Sequence, residues 1–589
     1  MLNVSEKIAP ISIDADQLLS RTFTFKVEPQ NGIISDDFVF HKNGFLIGYS
    51  HANEAHWEID GSFLNLFDQD GRITCQMSLL SGPGEAIRLG GYFHNPALGY
   101  VETANFHVLE ENASDSHTKI QSFDLFDTLV ARRCSDPLEI FRIVERKSAV
   151  AGFADMRHRT EMSIFGRRTY GIDDIYLIMI SEGFISEKQA AVLKWMELEE
   201  EWEHLFPIGD VVARVAENDI VISDMYLPRP FIERVLREKC GLENKLYLSN
   251  YGKHHRLIWP EILAEHNLRT HFGDNIQADI ISPSSFGIDV MLVNISKWDP
   301  SEQILHAIGL GDYAHAVRET RLRSFHRNIN IRHAQRAQAS INIPLMILAS
   351  FWIKACAEER GVDKILMAAR DCNLWQEMLA SRHFARANMP PSEYIRISRA
   401  VCYTESPEYE AYLQNKLGLR NLLVDFVGTG RSLGTIIDRM DRRATITPCI
   451  LLGEPRSAEI VETLPETFIL RDFGSHRVFF EALNASLDGS TVFTISDNYR
   501  LTILLQENEF SDVVKTMIVE MRNTFQHFMH TLDRINPPQN VPSLEVLRQA
   551  GAAIVDLLPG WSPKLAALAA EQKTNLMQGN AFKAAYAAR

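Results

Sequence analysis

The sequence predicts a mixed α/β chain: an antiparallel β module first, then two doubly wound parallel sheets, then a helical tail. Three observations carry this prediction. Between about residues 20 and 110, short runs alternate apolar and polar positions and are separated by Asn-Gly and Asp-Gly turns, the pattern of half-buried antiparallel hairpins. From Lys119 onward, apolar strands alternate with helical stretches, which indicates a parallel sheet covered by helices. Several of those strands end in an acid or run into a glycine-containing loop, at the edge where open α/β sheets bind ligands.

The β module spans residues 1–117 as a sandwich or small barrel. Its runs are Phe23–Val27, Phe38–Tyr49 and Ser62–Phe67, with turns at Lys42-Asn43-Gly44 and Asp68-Gln69-Asp70-Gly71. Trp57 lies in its middle and reads as core rather than as a sugar-stacking platform, so the module is for recognition or scaffolding. The first α/β region covers 118–311. Its strands are IQSFDLF from Ile120, DIVISDM from Asp219, KLYLSN from Lys245 and THFGDN from Thr270, with a helix-rich stretch at about 135–212. Residues 312–339, rich in Arg and His, read as a connecting helix at the start of a second region, 312–500. There the strands are KILMAA from Lys364, YIRIS from Tyr394, LLVDFV from Leu422 and TPCILLG from Thr447. Residues 501–589 read as helical, with a break at Asn536-Pro537-Pro538.

Composition narrows the function classes. The 589 residues carry 76 acidic and 60 basic side chains, a formal charge of −16. Such a field repels phosphodiester backbones, so no nucleic-acid partner is expected. The seven cysteines are scattered without a CxxC pair, which argues for free thiols rather than a disulfide framework or a zinc site. The first twenty residues lack a basic segment followed by an apolar one, and the longest apolar run, Ile343–Ile353, is too short to span a bilayer and reads as a buried helix. No transmembrane segment is expected, and the expected location is the cytoplasm, at most peripheral at the inner membrane face.

The first α/β region carries four pieces in order: Phe123-Asp124-Leu125-Phe126-Asp127-Thr128-Leu129, Val221-Ile222-Ser223-Asp224, Lys253, and Gly273-Asp274 followed by Asp279. These residue types suit phosphoryl transfer through an aspartyl phosphate. A carboxylate attacks phosphorus, a hydroxyl and a lysine hold the phosphoryl oxygens, and two acids hold Mg²⁺. The ordering resembles the haloacid dehalogenase (HAD) superfamily. The resemblance implies a Rossmannoid domain with a helical cap at about 135–212, Asp124 as nucleophile, Ser223 and Lys253 as phosphate holders, Thr128 beside the substrate, and Asp124, Asp274 and Asp279 around the metal. Phosphatases of that superfamily carry a second acid two residues after the nucleophile, where this chain has Phe126. Asp127 is next door, although strand alternation points it elsewhere; either Asp127 or a cap residue protonates the leaving group, or turnover is slow, or the domain only binds. The strings FDLFDTLV and VISDMYLP also resemble a narrower group of bacterial HAD-like proteins encoded with cell-surface polysaccharide enzymes.

In the second region, Leu422–Val427 runs through Asp425 into Gly428-Thr429-Gly430-Arg431-Ser432 and a helix. Backbone N–H groups of such a loop, backed by a helix N-terminus, cradle a phosphate, and Asp425 is placed for ribose hydroxyls. This resembles the loop with which type I phosphoribosyltransferases bind phosphoribosyl pyrophosphate (PRPP), except that the first of their two adjacent acids is Val424 here. By the same resemblance, Arg370-Asp371-Cys372-Asn373 stands where the pyrophosphate loop belongs, and Arg399 can pair with a pyrophosphate oxygen. A Rossmann-like domain with a glycine-rich turn remains the plainer alternative. The segment Phe479–Asn484 reads as simply a helix, with a place in the cleft wall as the lesser alternative.

Together the two resemblances imply a bifunctional enzyme of bacterial capsule or O-antigen synthesis. It would transfer 5-phosphoribosyl from PRPP to a glycan or lipid-linked glycan acceptor, then remove the 5-phosphate to leave ribofuranose. Mg²⁺ is the implied cofactor, and a homo-oligomer or a complex with other polysaccharide enzymes is the implied setting. The alternatives are a hydrolase of a soluble sugar phosphate with a regulatory nucleotide-binding second half, and a non-catalytic scaffold.

Overall fold

The computed structural model describes residues 14–575, apart from 20, 31, 50, 83, 96–99, 113–118, 135, 369, 404, 456–464, 489–490, 498–499 and 506–508. The chain is mixed α/β, with an antiparallel sheet near the N-terminus and two parallel sheets after it. It forms two compact units, Met1–Lys297 with Phe325–Ile329, and Trp298–Ser324 with Asn330–Arg589. The stretch 312–339 is accordingly not one connecting helix but two, Gly311–Arg323 and Ile329–Ala337.

Eight strands open the first unit: β1 (Thr22–Glu28), β2 (Gly32–Phe40), β3 (Leu46–Ile47), β4 (His56–Asp60), β5 (Phe63–Phe67), β6 (Ile73–Leu79), β7 (Arg88–Asn95) and β8 (Tyr100–Glu111). They pair antiparallel in the order β3-β2-β1-β8-β7-β6-β5-β4. The two ends of that order meet, because Phe45 and His56 form an antiparallel bridge and Trp57 N–H donates to Gly44 O at 2.9 Å. Of the two architectures the alternation allowed, the sheet thus takes the barrel. Period-two patterning turns Phe23, Phe25, Phe38 and Phe40 inward onto Trp57, Leu64, Leu66 and Met77. Trp57 is core, with its Nε1–H donating to His41 O at 2.9 Å. Asp37 of β2 receives both arms of Arg269 at 2.8 and 2.6 Å, fixing the barrel to the parallel sheet of the same unit.

That sheet comprises β9 (Ile120–Phe123), β12 (Ile220–Asp224), β13 (Lys245–Ser249), β14 (Leu268–Gly273) and β15 (Asp289–Leu292), in the order β13-β12-β9-β14-β15 with every pair parallel. The strand order reverses between β9 and β14, which makes the carboxyl ends of those two strands the expected ligand crevice. Between β9 and β12, the chain passes through a two-stranded ribbon, β10 (Val130–Arg132) and β11 (Leu205–Pro207), that brackets four helices: Leu138–Ser148, Phe153–Ile164, Ile172–Ser181 and Glu187–His204. The last of these starts with a reciprocal cap between Ser186 and Gln189. Its buried face carries Glu197 and Glu201, bound respectively by the fully buried Arg157 (2.8 and 2.9 Å) and by Arg132 (2.8 Å).

In the second unit, the sheet runs β17-β16-β18-β19-β20, all parallel: β16 (Lys364–Ala368), β17 (Ser392–Ile395), β18 (Asn421–Gly428), β19 (Ile446–Gly453) and β20 (Glu466–Leu470). Here the order reverses between β16 and β18. Helix Ile343–Arg360 packs on this sheet, and Ile343–Ile353 are buried throughout. The helical run 329–360 is the one among the described residues long and apolar enough to cross a membrane, and 89% of its apolar window lies inside the fold. Helices Asp512–Leu532 and Leu544–Val555 join the same core. The expectation that residues from 501 onward are helical is corrected by a hairpin, β21 (Thr491–Asp497) with β22 (Arg500–Leu505). The strand beginning at Tyr394 also ends early, at Ile395, so Arg399 opens a short helix, Arg399–Tyr403, rather than closing a strand.

Candidate active sites

Two clusters of ionisable side chains form at the two places where strand order reverses. In the first unit, β9 ends at Phe123 and Asp124 N–H donates to Phe272 O of β14 at 2.7 Å, which sets Asp124 beside Asp274. Lys253 reaches in from the turn after β13. Its Nζ donates to Asp124 Oδ1 at 2.6 Å and to Ile222 O at 3.2 Å, and it lies 2.5 Å from Asp279 Oδ1. Ser223, the next residue after Ile222, is buried at the end of β12. Oxygen atoms of Asp124, Asp274 and Asp279 lie within 4.8 Å of one another, an all-carboxylate set that could hold a hard divalent cation.

The charges are strongly coupled. Burial pushes the Asp124 carboxyl up to about 8, with Lys253 opposing and Asp279 and Asp274 adding to the rise. Burial likewise raises Asp274 to about 6, helped by Asp127 and Asp279. Burial acts to raise Asp279 as well, but the Lys253 ammonium and the His271 imidazole hold it well below the carboxylate range. Asp279 is therefore the ionised partner that anchors Lys253, in addition to standing in the carboxylate triad. A cation at the triad would relieve the repulsion that raises the other two.

Several neighbours hold this geometry, among them His271 and Ser122, to which the sequence assigned no role. Asp224 accepts the backbone N–H groups of Lys253 (2.9 Å) and His254 (3.1 Å), so it fixes the turn that presents the lysine. His271 Nε2 lies 3.2 Å from Asp279 Oδ1, and its Nδ1 is 2.8 Å from Ser122 Oγ. Gly273 permits the close approach of Asp279, since a Cβ there would stand 2.3 Å from the Asp279 Cγ. Thr128 is buried, and its Oγ1 finds no hydrogen-bond partner within the protein.

Asp127 corrects the expectation from strand alternation. The strand has already ended, and Asp127 takes φ 56°, a left-handed conformation that Asp tolerates. Its N–H donates to Val130 O at 2.6 Å. The tight turn that results brings the Asp127 charge within reach of Asp274. Phe126 sits under the Arg132 guanidinium at 4.6 Å, so the side chain two residues after Asp124 makes an apolar and cation–π contact.

In the second unit, Asp371 follows β16, Asp425 lies on β18, and Glu481 comes from helix Arg477–Leu483. The three carboxylates act on one another: burial raises Asp371 to about 7, with Glu481 and Asp425 contributing and Arg370 opposing. Burial raises Asp425 to about 6, against Arg477 and Arg399. Arg477 donates to Glu481 at 3.0 Å and to Glu454 at 2.9 Å. The segment at Phe479–Asn484 is thus both a helix and a wall of the cluster. Arg477 was not foreseen at all, because nothing local in the sequence ties residue 477 to residue 425. Asn373 fixes the loop after β16 by donating to Arg370 O and Asn484 O, both at 2.9 Å.

The glycine loop ends β18. Gly430 has φ 73°, and a Cβ there would stand 2.7 Å from Pro465 Cγ, so the position demands glycine. Gly428 and Gly430 are buried, Thr429 Oγ1 accepts Arg431 N–H at 3.4 Å, and Ser432 lies in the first turn of helix Arg431–Arg439. Gly430, at the cap position, brings no side chain to the remaining N–H groups, which leaves that positive end suited to an anion. The cations pulling on Asp425 are Arg477 and Arg399, whereas Arg431 is exposed with its guanidinium 6.0 Å from the Tyr403 ring. Val424 is fully buried in the hydrophobic core, so nothing at that position adds an acid. No protein-family model matches the chain, and no curated protein is significantly similar to it.

Proposed function

We propose that the chain is a bifunctional enzyme, with a HAD-type phosphatase in the first unit and a PRPP-dependent phosphoribosyltransferase in the second. Acting in turn, the two would leave ribofuranose on a glycan acceptor in bacterial surface-polysaccharide synthesis. The observation that carries this reading is the placement of an Asp–Lys–Asp constellation and of an Asp–glycine-loop constellation at the strand-order reversals of the two sheets.

In the first site, Asp124 attacks phosphorus, the phosphorus–oxygen ester bond breaks, and the sugar oxygen leaves with the bonding pair. Lys253 and Ser223 hold the phosphoryl oxygens, with Thr128 Oγ1 as a further donor, and Asp127 supplies the leaving-group proton. Water then cleaves the aspartyl phosphate, releasing phosphate. Asp124, Asp274 and Asp279 would hold Mg²⁺, which when bound offsets the charge gathered on the phosphoryl group. In the second site, the Gly428–Gly430 loop and the helix behind it receive the 5-phosphate, Asp425 takes the ribose hydroxyls, and Arg370 and Arg399 meet the pyrophosphate.

Calorimetric titration with PRPP and Mg²⁺ tests the second site: micromolar binding is expected, and Asp425→Asn should lose it. Absence of binding by the wild type sinks the transferase reading. What then stands is the second reading, a hydrolase of a soluble sugar phosphate with a nucleotide-binding partner domain, which the buried Val424 at the first acidic position favours. Phosphate release from ribose 5-phosphate tests the first site, and Asp124→Asn should abolish it without changing PRPP binding.

A further inference from the structure

We infer that Asp371 is the group that takes the proton from the acceptor hydroxyl in the second unit, an inference that rests on the phosphoribosyl-transfer reading. Of the three carboxylates gathered there, two are already committed. Asp425 Oδ1 accepts Phe426 N–H at 2.8 Å, and Glu481 Oε1 accepts Arg477 Nε–H at 3.0 Å. Asp371 Oδ1 is buried and accepts no hydrogen bond; the Arg370 Nε stands 3.7 Å away, beyond hydrogen-bond range. That oxygen's lone pairs are unspent, and the side chain as a whole is only half-buried, which leaves the carboxylate within reach of a hydroxyl.

The surroundings suit it to that task. Asp371 faces Arg370 on its own loop, Asp425 from β18, and Glu481 and Arg477 from the helix behind; Tyr394 of β17 and the Cys372 thiol also lie within reach. Burial, with Glu481 and Asp425 adding and Arg370 opposing, places its titration at about 7, where a general base both accepts and returns a proton readily. The loop is held still by Asn373, which bonds Arg370 O and Asn484 O, while Asn484 and Asn342 exchange side-chain amides at 2.9 and 3.0 Å.

The step balances without another reactant. As the acceptor oxygen bonds to the anomeric carbon, its proton passes to the Asp371 carboxylate. The bond from that carbon to pyrophosphate breaks, and pyrophosphate leaves with the electron pair toward Arg370 and Arg399. With water as the acceptor, the products are ribose 5-phosphate, pyrophosphate and the proton held by Asp371.

The test uses the full chain with PRPP and Mg²⁺, without glycan, measuring binding by calorimetry and pyrophosphate release by a coupled assay. The wild type should bind and slowly release pyrophosphate, at a rate that rises with pH through neutrality. Asp371→Asn should bind PRPP within about threefold of wild type but release pyrophosphate at least about 100-fold more slowly, without the pH dependence. Asp371→Glu should recover part of the rate. Loss of PRPP binding in Asp371→Asn, release at the wild-type rate, or a wild type that binds PRPP but releases nothing above buffer each overturns the inference. A wild type that fails to bind PRPP removes the reading beneath it, a distinct outcome.

Discussion

Replacing Asp371 by Asn should make the ligand-free protein more stable at alkaline pH, although it removes a group assigned to the chemistry. In the unfolded chain the carboxyl titrates near its ordinary 3.8; burial moves it to about 7 in the fold. Below pH 4 both states hold the proton and the side chain costs nothing. Between about pH 4 and 7 the unfolded chain ionises while the folded one stays protonated, so stability falls as pH rises. Above 7 both are ionised and the cost is constant. At about 1.4 kcal/mol per tenfold change in acidity, that cost reaches up to about 4 kcal/mol. Asn, of the same shape and without charge, escapes it. Thermal unfolding at pH 4.5 and pH 8 should therefore show the two proteins close together at the acid end. At pH 8 the variant should melt up to about 10 °C higher. A variant that is no more stable than wild type at pH 8, or equally stabilised at both pH values, would refute the burial argument.

Three further outcomes follow from the first unit. Asp224→Ala, which touches no substrate, should lower phosphate release from ribose 5-phosphate about 10- to 100-fold by freeing the Lys253 turn; an unchanged rate in a steady-state assay speaks against its positioning role. Asp274→Asn should erase a Mg²⁺-dependent rise in melting temperature seen in the wild type, and a rise that survives places the cation elsewhere. Arg157→Leu strands Glu197 in the helical insert and should cost about 3–5 kcal/mol in urea unfolding, with Arg157→Leu/Glu197→Leu recovering part of it.

The site residues easiest to find in the sequence were those at strand ends. Asp124 and Asp274 directly follow a strand, Lys253 and Asp279 come within six residues of one, and a parallel sheet gathers such positions along one edge. His271 and Ser122 were hidden, and Asp224 stood in a motif without a role, because their parts are tertiary: each acts by bonding a residue that sequence spacing does not connect to it. Asp127 was misdirected for a different reason. Alternation does not hold past Phe123, where the strand has stopped and a left-handed turn reverses the chain. The hairpin over β21 and β22 carries its own alternation in VFTIS and RLTILL, around Asp497-Asn498, a period-two signal beside the helical pattern of the residues that follow. Val424 was legible as a missing acid and the segment holding Glu481 as a lesser candidate for the cleft wall, but Arg477 beside Asp425 was not, being more than fifty residues downstream in the chain.

The ribbon of β10 and β11 pairs Arg132 with Leu205, so the helical insert leaves the sheet and returns to it at neighbouring points. An insertion attached in this way behaves as a cartridge. Its length and surface can be exchanged over evolutionary time, or trimmed to a short turn in the laboratory, while the strand order beneath it and the register of β9 against β12 and β14 stay intact. Changes within the insert then leave untouched how Asp124 is held.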